Sequence, residues 1–187
     1  MDSVAKLMQT SIRQLEERKF SEAVKTASKC IAITKKVPLC YSVRGISYVI
    51  IGQYQAAVSD LTEYLKTYQS LSLVWENRAR LYASQRMMEP AIADFSKIIS
   101  IDPKHHLAWF GRGVVYLESG KFDLAIADLT EHIKLKPNDW LGYYNRGVVY
   151  IESGRKELGL ADMKISAKLE PNNQEIKTII EKLESNP

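Results

Sequence analysis

Read in steps of 34, the chain sets Gly45, Ala79, Gly113 and Gly147 in one column and Tyr48, Tyr82, Tyr116 and Tyr150 in another. Two further columns keep the interval: Tyr41, Trp75, Trp109 and Tyr143, then Pro103, Pro137 and Pro171. A period of that length marks an array of supersecondary units, each too small to bury its apolar face alone. The core must therefore form where successive units stack.

The best-formed unit, residues 106–139, holds Trp109, Gly113, Tyr116, Ala125, Leu129 and Pro137 at the spacing W-x3-G-x2-Y-x8-A-x3-L-x7-P. This pattern resembles the tetratricopeptide repeat family. Its physical content is a helix hairpin: a small residue on the first helix lets the second approach, and bulky residues fill the seam around it. Gly113 and Ala125 are the expected close-contact pair, ringed by Trp109, Tyr116 and Leu129. The resemblance implies an all-α, right-handed superhelical solenoid of about five helix-turn-helix repeats.

In that register the repeats run 4–37, 38–71, 72–105, 106–139 and 140–173, making one solenoid of residues 1–187 with no linker. The first is degenerate, with Ser11, Gln14 and Ala27 where Gly, Tyr and a large apolar residue stand elsewhere. Gln69 occupies the proline column of the second, and Gly159 replaces the alanine of Ala57, Ala91 and Ala125 in the fifth; looser packing is expected at both places. Beyond Pro171, residues 174–185 set Ile176, Ile179, Ile180 and Leu183 at helical spacing with Glu175, Lys177, Glu181 and Lys182 between them. One apolar stripe and one charged side describe a helix that caps the last repeat.

Composition, 45% hydrophobic and 26% charged, is that of a globular chain. The opening MDSVAKLMQT has an early acidic residue and no apolar run, so no secretory signal is expected, and stretches such as Tyr48–Ile51 are too short to span a bilayer. The expected location is the cytoplasm. The net charge of +4 is unevenly held: residues 4–37 carry eight Lys or Arg against three Glu, a local balance of +5. Such a run can meet nucleic acid or another anionic surface, but it is more often a solvated face. Phe20 is the only aromatic interleaved with it, which argues against nucleic acid.

The residues for chemistry are few. His105 and His106 are neighbours in the turn after Pro103, with no Cys or carboxylate at metal-ligand spacing, and read as a surface pair. His132 shares a column with Ile98 and Cys30 and reads as a packed histidine with one hydrogen bond. Cys30 and Cys40 match no redox or zinc pattern and read as small buried hydrophobes. No phosphate loop, nucleophile elbow or carboxylate dyad is present, so neither enzymatic activity nor a cofactor or metal is expected.

Arg44, Arg78, Arg112 and Arg146 recur at the repeat interval, as do Asp60, Asp94, Asp128 and Asp162. Both columns flank the seam, where an arginine and a carboxylate satisfy each other and either alone would be a costly buried charge. The resemblance also implies that the first helices line a concave groove. Its expected lining includes Asn77, Arg80, Phe110, Val114, Leu117, Tyr144, Asn145 and Val148, with Gly111 beside Phe110. Apolar positions broken by isolated polar ones suit a peptide or helix presenting hydrophobic side chains. Asn77 and Asn145 share a column, where side-chain amides can grip a peptide backbone.

Family members that hold the acidic tails of heat-shock chaperones use a Lys, Asn and Arg clamp. Ser42, Glu76 and Phe110 stand where such groups would be wanted, which argues against chaperone tails as partners. The expected function is a scaffold or adaptor that binds a protein or peptide. The alternatives are self-association into an oligomeric scaffold, or an RNA-binding or anionic-surface role for the basic first repeat.

Overall fold

The structure, a computed structural model, describes residues 3–69 and 72–185. Among these there are eleven helices and no strand. They fall into two compact units, residues 1–87 and 88–187.

In the first unit, α1 (Val4–Glu16) and α2 (Phe20–Ile33) form hairpin 1, α3 (Pro38–Ile50) and α4 (Tyr54–Leu65) form hairpin 2, and α5 (Ser72–Ser84) follows. Each helix packs on the next. Ser3 caps α1 by accepting from the Lys6 amide at 3.2 Å, and Pro38 opens α3 at a position where no amide is needed. The core runs through Leu7, Ala23, Ala27, Tyr41, Leu61, Tyr64 and Val74. Cys30 and Cys40, both wholly buried, are joined in a disulfide between α2 and α3. The expected burial is met; the expected free thiols are not.

The second unit starts with α6 (Met88–Ile101). Hairpin 4 is α7 (His106–Glu118) with α8 (Phe122–Leu135), and hairpin 5 is α9 (Trp140–Glu152) with α10 (Lys156–Leu169). Helix α11 (Gln174–Ser185) lies on α10. It buries Ile176 completely, and Asn173 starts it by accepting from the amides of Glu175 and Ile176 at 3.0 and 3.3 Å.

Glycine makes the seams close. A Cβ at Gly45 would lie 2.8 Å from Leu61, and one at Gly113 would lie 2.9 Å from Leu129. The atom nearest a Cβ on Gly113 is thus on the leucine expected around the close pair. In hairpin 5 a Cβ on Gly159 would stand 3.0 Å from the Gly147 carbonyl oxygen. The second glycine brings backbone against backbone, where the sequence suggested loosening.

The hairpin turns share a left-handed residue at the repeat interval: Arg18, Gly52, Arg86, Gly120 and Gly154, with φ between 58° and 80°. The amide of the next residue returns to a carbonyl five back, as in Lys19 to Gln14 at 2.8 Å and Lys121 to Tyr116 at 2.8 Å. This is the bond that closes a helix ending in a left-handed residue. Its presence after Arg18 puts the degenerate first hairpin in the same conformational register as the others.

The charged columns form braces. Arg112 holds Asp128 through two bonds of 2.7 and 2.9 Å and gives a third donor to Ser96 at 2.8 Å. Arg44 does the same with Asp60 and Ser28, and Arg146 with Asp162 and Thr130. Arg78 donates to Thr62 at 2.9 Å. Each arginine also lies between two rings of its own helix, Arg112 with Trp109 at 5.1 Å and Tyr116 at 5.7 Å. The two aromatic columns therefore sandwich a guanidinium as well as filling the seam. Hydrogen bonding to the partner carboxylate pushes the Arg44, Arg112 and Arg146 guanidinium pKa values up, so all three stay charged.

Candidate functional site: the inner helices

Within each unit the odd-numbered helices approach one another: α1 touches α3, α3 touches α5, and α7 touches α9. No pair of even-numbered helices packs comparably among the described residues. The odd helices are therefore the inner layer, and their residues that point away from the seam form its surface.

On α7 and α9 those residues come in matched pairs: Leu107 with Leu141, Phe110 with Tyr144, Val114 with Val148, and Leu117 with Ile151. Leu107 and Leu141 are 39% and 38% exposed. Phe110, Val114, Leu117, Tyr144 and Val148 are half-buried. Phe110 tilts on the His132 ring at 5.1 Å, and Leu117 packs toward Leu129 and Val149, so both offer an edge and not a whole side chain. The Tyr144 hydroxyl donates to Glu175 of α11 at 2.7 Å. Burial, together with that carboxylate, pushes the Tyr144 phenol up to about 12.

The asparagines are less available than expected. Asn145 donates its amide to Leu141 O, and Asn77 donates to Leu73 O, each at 2.9 Å within its own helix. Each keeps its carbonyl oxygen and one N–H for another partner. Asn77 and Arg80 sit on α5 in the first unit, where Arg80 is 62% exposed and pairs with Glu76 at 2.5 Å. Gly111 faces Phe95 of α6, whose ring a Cβ would overlap, so it belongs to the packing and not to the groove.

Sequence reasoning placed Leu73 on the inner side but passed over the column to which it belongs. Leu39, Leu73, Leu107 and Leu141 recur at the repeat interval near the start of α3, α5, α7 and α9, and all are at least 38% exposed. The periodicity was visible in the chain; the direction of the side chains was not.

The histidines form a small buried cluster. His132 is wholly buried on α8, with Nδ1 3.1 Å from the His106 carbonyl oxygen and Nε2 3.2 Å from an Asp139 carboxylate oxygen. His106 begins α7, half-buried, its ring 5.4 Å from that of His132, instead of sitting in a surface loop. Burial, with His132 beside it, pushes the His106 imidazole below its usual range. A Cβ on Gly142 would come within 2.7 Å of the His132 ring, so the pair is a packed seam. Among the described residues no group of three His, Cys, Asp or Glu side chains is placed to hold a metal.

A cleft of about 540 Å³ at the turns of hairpins 4 and 5 is lined by Lys121, Phe122, Asp123, Leu124 and Arg155. Its Arg155 and Asp123 neutralise each other at 2.5 Å, and no nucleophile or base converges there, so the inner face is the stronger candidate. In the basic first hairpin Lys19 pairs with Glu17 at 2.8 Å, while Lys25 and Lys29 stand on the exposed side of α2. No described helix is long and apolar enough to cross a membrane.

The sequence matches the tetratricopeptide repeat model over residues 73–105 and again over 106–139. No curated protein matches it by sequence. Among solved structures it resembles MamA, at 17% identity over 92% of this chain and 94% of that one, with a TM-score of 0.84. MamA 41-end from Desulfovibrio magneticus RS-1 gives 18% identity, 92% and 98% coverage and a TM-score of 0.84. YrrB, described as a TPR protein with an unusual peptide-binding site, gives 14% identity, 94% and 91% coverage and a TM-score of 0.87. At these identities the likeness is one of fold.

Proposed function

We propose, from the premise that this chain belongs to the tetratricopeptide repeat family, that it is a binding scaffold whose inner helices take an extended or helical peptide of a protein partner. The family is a non-catalytic interaction fold, which supplies the coarse function. One observation carries the finer reading: on α7 and α9 the positions that are exposed or half-buried on the inner side are apolar in matched pairs, Leu107 and Leu141, Val114 and Val148, with the part-packed rings of Phe110 and Tyr144 between them. A helix face that served only to meet water would carry polar side chains there.

In this reading the leucines and valines supply contact area, and the free amide valences of Asn145 hold a backbone. Tyr144, tied to Glu175, gives a fixed ring edge instead of a mobile one. Preformed placement of such groups lowers the ordering cost of binding. A peptide partner also agrees with the peptide-binding site described for YrrB.

The test is a selection of displayed peptides against the intact chain, followed by titration of one winner into Val114→Glu with Val148→Glu. The reading expects apolar winners whose affinity falls at least about tenfold in the variant while its circular dichroism and melting stay unchanged. Winners that bind the folded variant as well as the parent would overturn it.

A further inference from the structure

Hairpin 1 lacks the brace that hairpins 2, 4 and 5 carry. Thr10 and Thr26 stand in the columns of the arginine and the aspartate, so the Arg–Asp pair of those hairpins is missing between α1 and α2. In the same hairpin, Cys30 and Cys40 occupy the columns that hold Tyr64 and Val74, Ile98 and Ala108, and His132 and Gly142 further along. Those later residues are all buried and fill their seams by packing a larger group against a smaller one. Only the first seam replaces that packing with a covalent bond, the two Cα atoms standing 6.5 Å apart.

We propose that the Cys30–Cys40 disulfide is a redox latch on the first hairpin. Oxidised, it fastens α2 to α3. A dithiol reductant attacks one sulfur, the S–S bond breaks, and two electrons and two protons pass to the cysteines as the reductant closes to its own disulfide. Both cysteines are wholly buried, so the exchange requires the α2–α3 seam to open first. Once reduced, hairpin 1 is held to α3 by packing and by hydrogen bonding such as Arg44 to Ser28, and its opening uncovers Tyr41, Val43 and Ser47 on α3. At the other end of the chain α11 covers the comparable face of hairpin 5 and carries no such bond. The latch makes the amino-terminal cover, and not the carboxy-terminal one, responsive to the redox state.

The experiment is hydrogen exchange on the intact chain, air-oxidised, with and without tris(2-carboxyethyl)phosphine, read beside the intact mass and alkylation of the native protein. The oxidised chain is expected to lack the two thiol hydrogens and resist alkylation. Reductant is expected to speed exchange across α1 and α2 at least about tenfold and to leave α8 and α10 unchanged. Cys30→Ala with Cys40→Ala should exchange at the fast rate regardless of reductant. Cys30→Ile with Cys40→Ala, which installs the residues of a later seam, should be protected and equally indifferent. Two free thiols in the air-oxidised chain, or reductant-insensitive exchange in α1 and α2 of the parent, would overturn the proposal.

Discussion

Hairpin 1 and hairpin 4 share a turn geometry but are secured by different chemistry. Hairpin 4 places Gly113 against Leu129, stacks Arg112 between Trp109 and Tyr116, and locks it to Asp128 with a side arm on Ser96. Hairpin 1 has Ser11 in the glycine column, its hydroxyl turned back on the Met8 carbonyl at 2.8 Å, threonines for the ion pair, and a disulfide to its neighbour. The contrast teaches that the fold needs a small residue and a left-handed turn at every hairpin, whereas the Arg–Asp brace within a hairpin can be left out where a covalent tie fastens that hairpin to the next. A brace built of packed charges is permanent under physiological conditions; one built of sulfur depends on its surroundings.

The largest expected effect breaks the brace of hairpin 4. Arg112→Met leaves Asp128, whose side chain is 6% exposed, as an unpaired buried carboxylate and should cost about 3 to 5 kcal/mol. Adding Asp128→Leu should recover most of that loss in urea unfolding, and equal damage from single and double variants would remove the pairing argument. Reducing the disulfide between α2 and α3 should cost about 2 to 3 kcal/mol by releasing a short loop, measured as a drop in melting temperature on adding reductant that the Cys30→Ile with Cys40→Ala variant does not show. Gly142→Ala, which drives a methyl into the His132 ring, should cost about 1 to 3 kcal/mol.

The next effect depends on pH. Tyr144 is a group whose folded pKa, about 12, lies above its ordinary value, so its tie to Glu175 is fully present below about pH 10 and is lost as pH rises through 12. Absorbance titration at 295 nm should show a late-ionising fraction that Glu175→Gln reduces, while the contribution of Tyr64, also pushed up by burial, stays in place. The smallest effect sharpens the comparison of turns. Arg18→Gly should stabilise the chain by about 0.5 kcal/mol by relieving a left-handed arginine at φ 60°. Gly120→Ala, with φ 69° in hairpin 4, should cost about 1 kcal/mol.

Much of the fold was legible because packing constraints recur. Gly113, Trp109, Tyr116 and the Arg112 and Asp128 columns announce helices and their seam in the sequence, since each seam repeats the same steric and charge problem. The turn column was hidden: Arg18 and Arg86 stand where Gly52, Gly120 and Gly154 would have drawn attention. The disulfide was hidden as well. A cysteine pair ten residues apart has no motif, and its meaning emerges only when the columns of Cys30 and Cys40 are known to face each other across a seam. On the inner helices, the resemblance implied Val114, Tyr144 and Val148 as lining, and all three are half-buried. The exposure of Leu107 and Leu141, the self-bonded amides of Asn77 and Asn145, and the packing of Gly111 on Phe95 depend on side-chain direction, which periodicity alone does not carry.

The central claim, that α7 and α9 present the recognition surface, is tested most directly by mapping a selected peptide onto the chain with amide chemical shifts. The account predicts perturbations concentrated at Leu107, Phe110, Val114, Leu141, Asn145 and Val148, with α8 and α10 silent. Perturbations confined to α8 and α10, or to the lysines of α2, would contradict it.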